Sequence, residues 1–279
     1  MSLSRELQLH IIQLQEIRSI LNSMKNLAFM EIHKLQRFKA MQGQASANIE
    51  RAALDFLAFY PALAMPDDNA AHIGVVLGAE RGFCGDFNES LLHALTSQTY
   101  AGVIAIGSRL CNRLEDISVP VIATLEGANV AEEVTAIINR LIDALSVLQA
   151  EGAIADGAAT LQLSIVYHDN AANQIRRRQL LPPFLDTQPR SFRYGSPPVL
   201  NLKPGEFFAD LVDHYLLAVL HEIFYISLMA ENNSRLHHLE GAVNHLDDET
   251  VRLQRKSQIY RQEEITEEIE VILLNAENL

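Results

Sequence analysis

Proline placement constrains this chain more than any other feature of its sequence. All nine prolines fall between Pro61 and Pro204, so residues 1–60 and 205–279 contain none. Proline lacks an amide hydrogen and clashes with the carbonyl one turn back, so it breaks helix interiors. Its absence leaves both arms free to form long helices. The apolar spacing uses that freedom. In the first arm Leu7, Leu14, Leu21, Ala28 and Leu35 recur every seven residues, with Ile17 and Met24 between them. In the second, Leu236, Leu239, Val243, Leu246, Thr250 and Leu253 alternate spacings of three and four. A repeat of this kind builds one apolar seam per helix, which is the pattern of a coiled coil. At 1.5 Å per residue the stretch after Pro204 reaches about 110 Å if continuous. Gly43 and Gly241 interrupt the helical patterns and are expected to mark bends, at a cost of about 1 kcal/mol each relative to Ala.

Between the arms the period changes. Short apolar runs at Ile73–Leu77, Val103–Ile106, Val119–Ala123 and Leu161–Tyr167 read as strands. Helical patterns at Asn88–Ser97, Ser108–Asp116 and Val130–Ala150 separate them. Strand–helix alternation implies a Rossmann-like, mostly parallel sheet with covering helices. Leu180 to Pro204, with LLPPF and GSPPV, reads as a proline-rich return. The expected organisation is an N-terminal coiled-coil helix over 1–60, an α/β domain over 61–204 and a C-terminal coiled-coil helix over 205–279. Each arm has one seam, so the economical arrangement packs the two antiparallel with the α/β domain at their side.

The formal net charge is −13. A general nucleic-acid binder needs Lys and Arg to neutralise phosphates, so this balance argues against one. The acid is concentrated late, at Glu263, Glu264, Glu267, Glu268 and Glu270, where a solvated helix face is the plain reading. The two cysteines, Cys84 and Cys111, argue against a disulfide framework and suit a reducing compartment. The start, MSLSRELQLH, has no apolar core of a secretory signal. No apolar run is expected to serve as a membrane span of about 18–20 residues.

The stretch GVVLGAERGFCGDFNESLL, Gly74 to Leu92, has the layout of a phosphate cradle: strand, glycine loop, helix. Its chemistry does not follow. A P-loop needs G-x-x-x-x-G-K-[ST], but no Lys-Ser or Lys-Thr follows Gly78, Gly82 and Gly85, and Asp86 would repel phosphate. The G-x-G-x-x-G spacing of a dinucleotide fingerprint is also absent. Cys84 beside Arg81 could act as a nucleophile. A half-buried turn thiol is the favoured alternative, because no His is locally placed as a base. The glycines are better explained by turn geometry and close helix–strand packing.

AERGFCGDFNESLL resembles the S/T-D-R-G-L-C-G-G-L-N-x-x-L segment of the gamma subunit of F-type ATP synthases, through Arg81, Gly82, Cys84, Gly85 and Asn88. RQEEITEEIEVILLNAENL is similar to the family's terminal R-Q-x-x-I-T-x-E-[IL]-x-E-I-V, through Arg261, Gln262, Ile265, Thr266, Glu268 and Ile269. SRLHHLEGAVNHLDDETVRL places Arg235 and Asn244 in a further match, and NSMKNLAFM and LLPPF echo two more family segments. The matches keep the family's order along almost the whole chain. The resemblance implies a non-catalytic rotor shaft without cofactor or metal. Its paired helices thread the ring of alpha and beta subunits, and its α/β domain meets the epsilon subunit and the membrane c-ring. It further implies a peripheral place at the cytoplasmic face of a bacterial inner membrane, in a proton-transporting complex. Arg261 and Gln262 match the pair that touches the beta-subunit catch loop; Thr266 and Arg235 are weaker carry-overs.

Departures from the pattern are Ala79-Glu80 for S/T-D, Asp86 for the second glycine, and Ser257-Gln258 for Tyr-Asn. They mark a divergent member. Taken from the residues alone, Arg261 could equally be a surface arginine in a weak helical pair with Glu264. Two other readings stand beside the shaft: a small-ligand enzyme on the α/β domain, and a coiled-coil scaffold unrelated to rotation. Seven-residue spacing puts His214 with His221, and His238 with His245, on common helix faces. H-E-x-x-H is absent, so solvated or interfacial histidines are expected rather than a metal site.

Overall fold

The structure, a computed structural model, describes residues 3–64, 71–96, 98–114, 119–150, 161–169, 174–184 and 195–277. In chain order they form α1 (Leu3–Leu57), a short 3-10 turn (Pro61–Ala64), β1 (Ala71–Leu77), α2 (Phe87–Leu95), β2 (Gly102–Ile106) and α3 (Ser108–Leu114). These are followed by β3 (Val121–Leu125), a second 3-10 turn (Ala131–Glu133), α4 (Val134–Ala150), β4 (Leu161–Asp169), β5 (Gln174–Leu181) and α5 (Pro204–Glu277). The proline-free arms are thus two long helices of 55 and 74 residues. Gly43 and Gly241 both lie inside continuous helix. The chain divides into two compact units, Met1–Phe29 with Arg235–Leu279, and Met30–Ser234.

In the helical unit the seam is a full heptad pair. Leu7, Leu14 and Leu21 are half-buried and Ala28 is buried, as the spacing predicts. The second row is Ser4, Ile11 and Arg18 rather than the expected Ile17, which is exposed. Ile11 lies four residues after Leu7 and three before Leu14, so it completes the three–four alternation that faces a partner helix. Ile17 sits one position off that row. Arg18 takes the following place in the row and binds Asp247 of α5 in a two-pronged pair, Nη2 to Oδ2 at 3.0 Å and Nε to Oδ1. On α5, Leu239, Val243 and Leu253 are buried and Leu236, Leu246 and Thr250 half-buried, so that expected row is the observed one.

In the α/β unit the sheet order is β3-β2-β1-β4-β5. β1 pairs parallel with β2 and β4, and β2 pairs parallel with β3. β5 is antiparallel to β4, with Tyr167 opposite Arg176. The sheet is therefore mostly parallel, as expected, with one strand the sequence reading lacks. QIRRRQLL has three consecutive arginines and no alternating apolar face, so its strand character comes from pairing with β4 rather than from its own pattern. The expected return from Leu180 is corrected accordingly: Leu180 and Leu181 end β5. The third strand lies two residues later than expected, at Val121–Leu125. The helix ends expected at Ser97 and Asp116 lie outside the described residues.

Successive strand residues point to opposite faces. On one face Val76, Val103, Ala105 and Val166 join Phe87, Leu91 and Leu95 of α2 and Leu110 and Leu114 of α3 in one core. On the other, Leu77 and Ile106 meet Phe224 and Leu228 of α5. Within this unit α1 and α5 run antiparallel, since Phe38 packs on Tyr225 and Phe56 on Phe207. Contrary to the expectation for apolar runs, α5 is long and apolar enough to cross a membrane by length and composition, with mean hydropathy 1.3 over 18 residues. Half of that window is buried in the protein, as in a core helix.

Candidate functional site

Parallel α/β sheets bind ligands in the crevice beyond the carboxyl ends of their strands, where the strand order reverses. Here β1 is that point: β2 lies on one side and β4 on the other. The glycine loop leaves β1 into this place, and its backbone fits the turn-and-packing reading. Gly78 lies against Leu110, and a Cβ there would come 2.2 Å from the leucine Cβ. Gly85 adopts φ +61°, a left-handed conformation that favours glycine. Phe83 adopts φ 64° with a bulky, half-exposed side chain, a strained setting that its loop must hold in place.

The loop is held by polar staples. Asn88 Oδ1 accepts from the Ala79 amide at 2.9 Å. The Arg81 amide donates to Glu231 of α5 at 3.3 Å, and Arg81 Nε to Asn129 Oδ1 at 2.6 Å. Ser234 of α5 donates to the Cys84 carbonyl at 2.6 Å. Glu80 accepts three hydrogen bonds, from the Ser108 amide at 2.9 Å, the Ser108 hydroxyl at 2.7 Å and the Gly127 amide at 2.6 Å. Desolvation acts to raise the Glu80 carboxyl, but these donors together with Arg81 outweigh it and hold it below the usual glutamate range. Glu80 thus ties the ends of β1, β2 and β3 together and caps the start of α3.

The Cys84 thiol is buried and directed at the carbonyls of Arg81 and Gly82, at 3.5 and 3.4 Å. Burial and these contacts match the structural thiol of a turn rather than an accessible nucleophile. The crevice itself is filled. Phe224, Ser227, Leu228 and Glu231 of α5 close over Gly78, Ile106, Gly127 and Ala128 and leave about 20 Å³, room for about one water. A nucleotide does not fit there. A second, open hollow of about 490 Å³ lies between the end of α1 and the start of α5, walled by Phe56, Phe59, Pro197, Pro198 and Phe207. Among its described lining residues Asp55 alone is charged, so it presents no acid–base pair.

The structure therefore brings Arg81, Gly82, Cys84, Gly85 and Asn88 together, and it places the other expected residues elsewhere. Arg261, Gln262 and Thr266 lie exposed on the last turns of α5, where the Thr266 hydroxyl donates back to the Gln262 carbonyl at 2.9 Å. From Arg261 to Leu273 every residue but Glu264 is exposed, including Ile265, Ile269, Val271, Ile272 and Leu273. Arg235 is only 5% exposed, so its guanidinium is committed within the protein rather than presented on its surface. Of the paired histidines, His221 Nδ1 lies 2.8 Å from the Leu217 carbonyl and Nε2 lies 3.1 Å from Thr135 Oγ1; His214, His238 and His245 are exposed.

Sequence reasoning missed a second polar cluster, in which Arg178 of β5 meets Glu222 and Tyr215 of α5 and Ser46 of α1. These residues are far apart in the chain and carry no motif. The run RRR was the only visible signal.

Comparison with known proteins agrees with this layout. A family model described as ATP synthase matches residues 4–279. An ATP synthase gamma chain of Clostridium beijerinckii is 23% identical over 214 residues, covering 74% of this chain and 72% of that one. A chain of the Euglena gracilis mitochondrial ATP synthase rotor superposes with a TM-score of 0.60 at 13% identity, covering 94% of this chain and 98% of that one. A central stalk and c-ring chain from Tetrahymena thermophila mitochondrial ATP synthase gives 0.58 at 15% identity, covering 80% and 99%. The likenesses to solved structures are likenesses of fold; the match to the family model spans nearly the whole sequence, and the chain belongs to the ATP synthase family.

Proposed function

We propose that the chain is the rotating shaft of a bacterial-type F-type ATP synthase and does no chemistry of its own. The observation that carries this reading is the bare end of α5. Isolated helices in water keep apolar side chains on a covered face. Here Ile265, Ile269, Val271, Ile272 and Leu273 are exposed together with their charged neighbours, on a stretch with no helix of this chain covering it among the described residues. Such a surface suits an apolar sleeve. The alpha and beta subunits supply that sleeve, and Leu9, Ile12, Ile20 and Leu27 on α1 present further exposed apolar surface to it. In this reading Arg261, Gln262 and Thr266 touch the beta-subunit catch loop through charge-assisted hydrogen bonds. Arg235 supports the same helix from within.

The proposed working parts are 1–60 and 205–279 as the shaft and 61–204 as the foot, which meets the epsilon subunit and the c-ring. The complex is membrane-associated, and this subunit is peripheral to the bilayer, on the cytoplasmic face in a bacterial cell. Rotation of an asymmetric shaft stabilises different beta-subunit conformations in turn, which is coupling by differential interaction. The filled crevice between β1, β2 and α5 supports a structural rather than enzymatic use of the sheet.

The test is co-expression with the alpha and beta subunits of the same organism, followed by sizing and an ATP hydrolysis assay. One copy per hexamer, with hydrolysis dependent on this chain and weakened by Arg261→Ala with Gln262→Ala, is the expected result. A hexamer that forms and works without the chain would refute it.

A further inference from the structure

The second polar cluster has no part in the reading above. Glu222 of α5 stands where three elements of the α/β unit meet. Its Oε2 accepts from the Ser46 hydroxyl of α1 at 2.7 Å and lies 3.6 Å from Arg178 Nη1 of β5. Its Oε1 rests against α1 at Gly43, where an added Cβ would stand 3.5 Å away. Arg178 Nη2 donates to the Tyr215 hydroxyl, about two turns before Glu222 on α5, at 3.3 Å. Gln42 of α1 donates to the Ala218 carbonyl of α5 at 3.1 Å. The two charged groups are largely withdrawn from solvent, with side chains 31% and 20% exposed.

Between the sheet and α5, Leu77 and Ile106 meet Phe224 and Leu228 in apolar contact. Apolar burial is non-directional, so it resists separation far more than sliding. Hydrogen bonds and ion pairs weaken steeply with misalignment, so they fix register. A cluster that joins β5, α5 and α1 through one carboxylate holds all three against sliding at once. Arg suits the task, because its fork can bind a carboxylate and a hydroxyl together.

We propose that Arg178, Glu222 and Ser46 form a register lock through which rotation imposed on the sheet is delivered to both long helices. This rests on the shaft reading. Glu222 and Arg178 are positioning residues in it: they touch no nucleotide and act by holding α1 and α5 in fixed register with β5.

The test uses the complete synthase in sealed vesicles, with hydrolysis rate and ions moved per ATP measured on the same preparation, using both proton and sodium indicators. Glu222→Gln keeps a partner for Ser46 and removes the charge facing Arg178. Glu222→Leu paired with Arg178→Met replaces the ion pair with apolar packing, an exchange that buried pairs often tolerate without loss of stability. Both variants are expected to assemble and hydrolyse ATP while the ions moved per ATP fall severalfold. A merely structural defect would lower hydrolysis and transport together and leave their ratio unchanged. An unchanged ratio in the assembled paired variant overturns the lock, whatever Glu222→Gln does. If the unmodified chain supports no ATP-driven transport, the shaft reading falls and the lock falls with it.

Discussion

Gly78→Ala tests the account of the glycine loop. The added Cβ would stand 2.2 Å from Leu110 Cβ, 2.7 Å from its Cδ2 and 2.9 Å from its Cγ. Carbon atoms in contact prefer about 3.5–4.0 Å, so the overlap exceeds about 1 Å. Leu110 cannot rotate out of the way, because the nearest atom is its Cβ, fixed to the backbone of α3. That backbone is itself held, with the Arg109 amide on the Ala79 carbonyl at 3.1 Å and the Ser108 amide on Glu80. Gly78 is held too, through its amide on the Ile106 carbonyl at 2.8 Å. Overpacking costs about 1–3 kcal/mol, and a site clamped on both sides belongs at the upper end. For a unit of this size about 3 kcal/mol corresponds to a melting temperature lower by about 6–12 °C. Gly241→Ala is the control. Nothing stands within 4 Å of its added Cβ, and it lies exposed inside α5, so helix propensity should raise stability by about 1 kcal/mol. Thermal and urea unfolding followed by circular dichroism reads both. A Gly78→Ala protein as stable as the parent would refute the close-approach argument, and reach into the explanation of the whole loop.

Glu80→Ala removes the shared acceptor of three donors and should cost about 3–6 kcal/mol in urea unfolding, at the rate of about 1–2 kcal/mol for each bond lost. Because the folded-state carboxyl is held below its unfolded value, the unfolded chain binds the extra proton; this contribution is complete above about pH 5 and declines as pH falls through the folded value. Glu80→Gln should flatten that acid-side decline, and an unchanged slope would count against it. His72 and His168 are each held below the usual histidine range, first by burial, so they should titrate below about pH 6.5 by NMR. The unfolded state then binds the extra proton, so stability should fall as pH drops from about 6.5 toward the folded values, and a titration at or above 6.5 for His168 would be inconsistent with its burial. Tyr100 and Thr250 have buried hydroxyls without hydrogen-bond partners among the described residues, so Tyr100→Phe and Thr250→Val should be neutral or stabilising by up to about 1 kcal/mol, whereas a clear loss would reveal a missed partner.

The helices were legible because their information is local. Proline exclusion and a seven-residue repeat need no knowledge of what lies across the fold, and they located α1 and α5 almost to the residue. The parallel strands were legible for the same reason, as continuous apolar runs. β5 was not, because Arg176, Arg177 and Arg178 become strand residues only through β4 and through partners such as Asp169 and Glu222. The glycine loop was visible in the sequence, but its neighbours were not. Its spacing excluded a phosphate cradle, but nothing local said that Glu231 and Ser234 would reach it across 150 residues. Glu80 appeared in the sequence only as a departure from a pattern; in the structure it is the acceptor that closes three strand ends.

The filled crevice gives the fold its functional sense. A doubly wound sheet normally leaves its strand ends open, and the loops there are free to diversify around a ligand. In this chain a helix occupies that place, and the loop that elsewhere meets phosphate donates the Arg81 amide to Glu231 and offers the Cys84 carbonyl to Ser234. The glycines keep the same backbone tasks, a left-handed turn and a close approach to a helix, but the group they serve is another part of the protein. Grip on a helix asks for different qualities than catalysis does. It needs contacts spread along the helix, so that no single point carries the load, and these are present at Tyr215, Glu222, Phe224, Leu228, Glu231 and Ser234 along three successive stretches of α5. It needs polar contacts among the apolar ones to set register. An α/β unit built this way grips its own helix instead of a ligand.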